Sequence, residues 1–352
     1  MNTTPSAAVA QSYDALLVVS FGGPEHPDHV IPFLENVLRG RNVPRERMLE
    51  VAEHYNHFGG VSPINAQNCA LIDALKIELP QHGVNLPIYF GNRNWHPLLP
   101  DTLAQMRADG IRRALAYFTS AFSSYSGCRQ YRENITAAQE VVGDEAPAVV
   151  KLRNFFNHPG FIEAMADRVG EALAQIPEAR RTAARLVYTA HSIPNAMAAN
   201  CAYEKQLGEA ARLVTEAVGR RDFNVAYQSR SGPPTQPWLE PDVGDVIKRF
   251  HSEGVQDVVV VPIGFVSDHM EVIYDLDDEA KHLADELGVN MVRAGTVGTH
   301  PRFVRMIAEL IVERLRGDAE RPALGVLGPC HDVCPTDCCL PPPRPPMPAR
   351  PQ

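Results

Sequence analysis

The stretch Ala15-Leu16-Leu17-Val18-Val19-Ser20-Phe21-Gly22-Gly23-Pro24 decides the fold. Five consecutive apolar residues, rich in valine and leucine, have the pattern of a strand covered on both faces, as in a parallel sheet. The strand runs into a glycine-rich turn, and a helical pattern follows over Val30 to Leu38. The same unit recurs. Pro87 to Phe90 precedes Gly91 and a helix near Leu98 to Ala108, and Arg113 to Phe118 precedes Thr119 and Ser120. Further on, Arg185 to Ala190 ends at His191-Ser192-Ile193-Pro194, Asn224 to Tyr227 ends at Gln228-Ser229-Arg230, and Asp257 to Ile263 ends at Gly264-Phe265-Val266-Ser267-Asp268. Helical patterns at Pro159 to Gln175, Glu204 to Val218 and Pro301 to Arg316 separate them. Strands alternating with helices predict βαβ units. The expected fold is α/β, with two similar doubly wound halves, each a parallel four-stranded sheet flanked by helices, and a cleft between them. The expected divisions are 12–150, 151–325, a cysteine-rich segment 326–340 and a proline-rich, disordered tail 341–352.

Composition narrows the class. The 352 residues are 45% hydrophobic and 21% charged, ordinary for a globular protein, and carry a net charge of −9 with no lysine or arginine block. Nucleic acid is therefore not an expected partner. No apolar run reaches the roughly 18 to 20 residues that span a bilayer. The segment Met1 to Gln11 lacks the basic and apolar regions of a secretory signal, so a cytoplasmic protein is expected. In a reducing compartment the seven cysteines are not expected to pair as disulfides.

The polar segments follow strands, where open α/β sheets place their ligands. His191 sits at such a position in TAHSIP, as a metal ligand or proton acceptor; a helix-capping or core histidine is the competing reading. In GFVSDHMEVIYDLDDEA, the residues Asp268, Glu271, Asp275 and Asp278 are spaced to share one face of an α-helix. Such a file suits a divalent cation, which prefers oxygen ligands; a solvated acidic face competes with that reading. His191 and Glu271 both follow parallel-type strands and are expected to converge across one cleft as base and cation ligand.

Cys330, Cys334, Cys338 and Cys339 crowd into ten residues, with Cys69, Cys128 and Cys201 scattered elsewhere. Crowded thiolates point to zinc or an iron–sulfur cluster. Cys128, in SSYSGCRQY, is the best distant ligand. Arg39, Arg41, Arg45 and Arg47 in LRGRNVPRERM offer guanidinium forks for carboxylates. Tyr55, Ser62 and Tyr131 offer hydroxyls, and Phe21, Phe58 and Trp95 flat apolar surface for a planar ligand.

LLVVSFGGPE, LRGR, HFGGVSPINAQ, YTAHSIP, YQSRSGPPTQPWLEPD and GFVSDHMEVIYDLD, in that order and over nearly the whole chain, resemble the ferrochelatase family. The resemblance implies an enzyme that inserts ferrous iron into a porphyrin, a lyase forming nitrogen–metal bonds. His191 and Glu271 fall on the family's metal-inserting histidine and glutamate, and Asp275 and Asp278 would relay protons or cations. SYSGCRQY and GPCHDVCPTDCC are similar to members of the coproporphyrin III type that hold a 2Fe–2S cluster. Its implied ligands are Cys128, Cys334, Cys338 and Cys339, with Cys330 as substitute. The four propionates of coproporphyrin III would meet Arg39, Arg41, Ser62 and Tyr131, with Tyr55 nearby. Phe21 stands where some members carry a tyrosine, so an axial phenolate is not expected. No membrane-docking or dimerising extension is recognised, which implies a soluble monomer. Protoporphyrin IX as substrate, zinc in the tail and a non-catalytic haem- or iron-sensing role remain the alternatives.

Overall fold

The computed structural model describes residues 12–40, 43–232, 235–317 and 320–341. Arg41, expected at the substrate, and nearly all of the proline-rich tail (342–352) lie outside the described residues.

The first sheet contains β1 (Ala15–Ser20), β2 (Ile88–Asn92), β3 (Arg113–Phe118) and β4 (Ala148–Lys151), all parallel, in the order β2-β1-β3-β4. The second contains β5 (Arg185–His191), β6 (Asn224–Gln228), β7 (Asp257–Val261) and β8 (Asn290–Arg293), in the order β6-β5-β7-β8, again parallel. The two halves therefore repeat one topology. All residues of β1 and β7 are buried, as their unbroken apolar runs predict. The short edge strands β4 and β8 had no such run and escaped the sequence reading.

The halves share one core. Tyr117 of β3 stacks on Phe155 at 5.7 Å, and Phe155 meets Phe161 and Phe303 at 5.7 and 5.8 Å. The helix Pro301–Arg316 packs on Ile64–Gln81 from the first half and on Pro159–Ala174 from the second. It thus closes the second half back over the first.

Residues 320–341 contain no helix or strand, and side chains of the body bind their backbone. Leu324 N–H donates to Asn157 O, Asn157 Nδ2 donates to the carbonyls of Leu324 and Gly328, and Val326 N–H donates to Glu209 Oε1, all at 2.8–3.0 Å. Arg153 makes a bidentate pair with Glu313, at 2.8 and 3.0 Å, and donates to Pro322 O. The two side chains of that pair are 1% and 8% exposed. Removing one partner of such a pair strands a buried charge. Glu313→Ala should therefore cost about 3–5 kcal/mol in urea unfolding; a cost under about 1 kcal/mol would show that the pair is not held as described.

Candidate active site

At the carboxyl end of a doubly wound sheet, the crevice opens where successive crossovers leave in opposite directions. In the second half that point lies between β5 and β7. His191 is the last residue of β5, in register with Gln228 at the end of β6. The chain leaving β7 passes close above β5: a Cβ on Gly264 would lie 2.5 Å from Ala190 Cβ, so only glycine fits. A few residues on, Glu271 enters the same space. Gln228 Nε2 donates to Glu271 O at 2.9 Å, and Glu271 N–H donates to His269 Nδ1 at 3.2 Å. Three strand ends thus converge on one residue, Glu271.

His191 Nε2 lies 3.6 Å from Glu271 Oε2, with the side chains 31% and 43% exposed. The Nδ1 of His191 contacts the carbonyl of Ser192. A carbonyl only accepts, so Nδ1 carries a proton, and in the neutral tautomer the lone pair then sits on Nε2, facing Glu271. With metal–ligand bonds of about 2.1 Å, donors 3.6 Å apart subtend about 118° at a shared ion, within the range of a tetrahedral or trigonal site. One face therefore offers a neutral imidazole nitrogen and a carboxylate to a cation or a proton.

Behind Glu271 the chain forms a π-helix, Ile273–Ala280. This wider coil carries more than 3.6 residues per turn and recurs at functional sites. It corrects the expected file of Asp268, Glu271, Asp275 and Asp278. Asp268 pairs instead with Arg293 at 3.1 Å, and Asp278 turns to His282 at 3.0 Å and His57 at 3.9 Å. The acidic neighbours of Asp275 are Glu271 and Glu279, so the file runs Glu271–Asp275–Glu279 at spacings of four. Glu279 went unread because the spacing test assumed an α-helix.

Burial, reinforced by the charges of Glu271 and Glu279, pushes the Asp275 carboxyl from 3.8 up to about 7. Ser229, held in the left-handed region at φ 61°, donates its hydroxyl to Asp275 and partly offsets that rise. A backbone strained in this way needs a local reason, and aiming the hydroxyl supplies one. Because the folded-state value is raised, this carboxyl's contribution to stability is complete below about pH 4. It is lost progressively up to about pH 7, at no more than ~1.4 kcal/mol per pH unit. Asp275→Asn keeps an acceptor for Ser229 and removes the buried charge. The variant should be more stable than the parent at pH 8 and show a flatter decline between pH 4 and 7 in thermal unfolding; lower stability at pH 8 would refute the assignment.

An aromatic cluster packs under the helix Val30–Leu38, with Phe33 and Trp95 buried and Phe21 and Tyr55 partly exposed. Phe33 meets Phe21 at 6.1 Å, Tyr55 at 5.8 Å and Trp95 at 6.3 Å. Burial, and then Glu271, raise the Tyr55 phenol well above its usual range, so it stays neutral beside the acidic file. Across the opening, His54 stacks on Tyr274 at 3.9 Å, joining the helix Arg45–His57 to the π-helix. Arg39 is exposed and donates to Asn36 Oδ1. Arg45 faces Glu35 at 3.8 Å, and Arg47 pairs with Glu50 at 2.6 Å.

Two expected substrate contacts lie deeper than anticipated. Ser62 is 4% exposed and sits under the first glycine turn, where a Cβ on Gly23 would come within 2.7 Å of Ser62 Cβ. Tyr131 is 5% exposed, with its hydroxyl bonded to Arg93 and Thr119. Polar residues flanking helix starts looked like surface hydroxyls, yet tertiary packing covers both. Arg93, which sequence reasoning passed over, lies 4.6 Å above the Tyr131 ring and 5.6 Å from that of Phe21, and donates to Asn134 Oδ1 at 2.7 Å. Its only sequence signal was its place directly after β2.

A second constellation occupies the matching place in the first half. After β3 the chain forms another π-helix, Tyr125–Arg129, which carries the buried Cys128. The thiols of Cys334 and Cys339 donate to Cys128, which favours its thiolate and depresses its pKa, with Lys151 and Arg132 assisting. Cys338 Sγ lies 3.5 Å from Cys339 Sγ. Neighbouring residues of an extended chain point apart, and the left-handed φ of 54° at Cys339 brings this adjacent pair together. Arg129 fixes the loop through Thr336 O and Cys338 O at 2.8 and 3.2 Å. Cys330 takes a hydrogen bond from Gln206 at 3.6 Å and packs against the main core. The structure thus brings together Cys128, Cys334, Cys338 and Cys339, a donor set that suits a cluster or zinc.

Fold and site together define a two-sheet parallel α/β protein with an imidazole–carboxylate pair at one switch point. The solved structure of SirB from Bacillus subtilis with Fe3+ has a similar fold, at TM-score 0.56 and 13% identity over 86% of this chain and 96% of that one. The family described as Ferrochelatase matches residues 13–315. A protein of Rhodopirellula baltica named Ferrochelatase is 62% identical over 95% of each chain. Two proteins named Coproporphyrin III ferrochelatase are similar as well. That of Streptomyces coelicolor is 51% identical (98% of this chain, 97% of its own), and that of Mycolicibacterium smegmatis 54% (92% and 99%). This chain belongs to the ferrochelatase family, enzymes that insert metal into porphyrin. Among the described residues, no helix is long and apolar enough to cross a membrane.

Proposed function

We propose that the protein inserts ferrous iron into coproporphyrin III and carries a 2Fe–2S cluster on Cys128, Cys334, Cys338 and Cys339. The observation that carries the first part is the partly exposed His191 Nε2–Glu271 Oε2 pair, 3.6 Å apart at the carboxyl end of the second sheet. A free-base porphyrin holds two N–H protons, and iron entering its four-nitrogen centre displaces both. His191 Nε2 and Glu271 meet the ion on one face and take up those protons. Asp275, raised to about 7 by burial, exchanges protons near neutral pH and passes them to the exposed Glu279. A positioned base of this kind contributes about 10²–10⁴-fold.

The names of the Streptomyces and Mycolicibacterium relatives support coproporphyrin III. Its four carboxylates suit a rim bearing Arg39, Arg45 and Arg47, all exposed. The name of the Rhodopirellula relative leaves the porphyrin open, which keeps protoporphyrin IX, with two carboxylates, as the rival. Purified protein assayed anaerobically with both porphyrins should show a kcat/KM at least ~10-fold higher for coproporphyrin III, one to two carboxylate contacts being worth about 1.4 kcal/mol or more. Preference for protoporphyrin IX would overturn the substrate and leave the enzyme class standing.

For the cluster, the support is the convergence of thiols from a π-helix and the terminal segment, with cationic Lys151 and Arg132 beside them. When bound, a cluster there would tie the segment 334–339 to the first half of the fold and supply a one-electron centre. Cys128 holds it to the body, and the other three thiols hold the segment 334–339.

A further inference from the structure

Five metal-binding side chains converge on the cysteine site. Besides the four thiols, His331 brings Nε2 to 3.8 Å from Cys338 Sγ, and the ligand atoms of His331, Cys334 and Cys338 all lie within 4.8 Å of one another. A 2Fe–2S cluster takes four protein ligands, so one donor is surplus.

Burial and contacts rank the donors. Cys128 and Cys339, 2% and 3% exposed, are the inner pair. Cys334 and Cys338 are both half-buried, but Cys334 bonds to Cys128, whereas Cys338 meets the exposed His331, so Cys338 and His331 stand on the outward rim. Cys330 lies near Cys128 but is engaged by the body of the fold. Gln206 donates to its sulfur at 3.6 Å, and the same side chain is fixed by two bonds to Ser123, at 2.7 and 2.9 Å. Chain geometry favours sharing at the rim as well. Cys338 reaches the site beside its neighbour Cys339 only because Cys339 adopts a left-handed backbone, whereas His331 approaches from the other end of the loop.

We propose that the outward position of the cluster has two alternative protein donors, the Cys338 thiolate and His331 Nε2. Loss of Cys338 would then leave a cluster ligated by three cysteines and one histidine. The proposal rests on reading the cysteine site as an iron–sulfur site. An imidazole is a competent partner, since histidine replaces cysteine on one iron of Rieske-type clusters and raises their potential. The exchange substitutes an iron–nitrogen bond for an iron–sulfur bond. No electron moves, and a neutral ligand takes the place of an anionic one, leaving the cluster one negative charge lighter.

The test is anaerobic reconstitution of Cys338→Ala in the full chain with ferrous iron and sulfide. Iron and sulfide are counted, and the reduced protein is examined by pulsed EPR for nitrogen coupling. The variant should keep its full iron and sulfide, gain a strong histidine-nitrogen coupling weak or missing in the parent, and show a more positive midpoint potential. Adding His331→Ala should abolish the cluster, whereas adding Cys330→Ala should not. A cluster retained without nitrogen coupling, or lost from a variant whose circular dichroism is unchanged, would overturn the proposal. Should Cys338→Ala fail to fold, Cys338→Ser decides by the same readout, with nitrogen coupling expected and its absence contradicting. A parent protein that takes up no iron and sulfide would instead overturn the reading of the site itself.

Discussion

Replacing His191 by alanine is expected to lower kcat for iron insertion by about 10³-fold, with KM for the porphyrin changed little. The expectation comes from the division of labour in the cleft. His191 closes β5, and its Nδ1 is occupied by the Ser192 carbonyl, so its one lone pair faces Glu271 and the place of metal exchange. On the proposed reading, porphyrin binding falls to other residues, namely the partly exposed Phe21 and Tyr55 and the exposed Arg39, Arg45 and Arg47. A half-exposed side chain also contributes little packing, so Tm should stay within a few degrees. Glu271→Gln, which keeps the shape and its backbone bonds but loses the charge, should fall by a similar factor. Steady-state kinetics under anaerobic conditions, together with a melting curve, check both. Full activity in His191→Ala would remove the histidine from the chemistry.

Cys128→Ala is expected to yield a protein without visible absorbance, with Tm lower by roughly 4–7 °C, the effect of about 3–5 kcal/mol on a protein of this size. Cys128 is the anchor of the cysteine site on the body of the fold. The remaining thiols all belong to residues 330–339, which have no secondary structure of their own to hold them. Without the anchor, the segment keeps its bonds to Asn157, Glu209 and Arg129 but loses the link through metal. Absorbance of the parent also separates the two chemistries open to this donor set, since zinc is colourless and an iron–sulfur cluster is not. A colourless Cys128→Ala protein with the parent's Tm would mean that the cluster does not brace the fold.

Much of this was legible because chain order and burial leave strong marks in a parallel α/β sequence. Apolar runs ending in glycine or histidine gave β1, β5 and β7, and with them the carboxyl-end crevice where His191 and Glu271 meet. What stayed hidden depended on geometry that residue spacing does not encode. The π-helix moved the acidic file from Asp278 to Glu279. The helix Arg45–His57 buries only Met48 and Ala52, too thin a stripe to read. Ser62 and Tyr131 look alike in sequence whether they face a ligand or a neighbouring turn, and packing turned both inward. His331 stood among cysteines that drew the eye, and only the folded loop brings it to Cys338. The two π-helices follow the third strand of each half, one carrying Cys128 and the other the acidic file. That correspondence appears only once the strand orders are known.

The most direct test of the central claim is anomalous scattering at the iron edge from crystals grown anaerobically with ferrous iron. The account predicts a peak within bonding distance of both His191 Nε2 and Glu271 Oε2, atoms 3.6 Å apart, in addition to any density at the cysteines. Iron found only at the cysteines or beside Asp278 and His282, with none at His191, would contradict it.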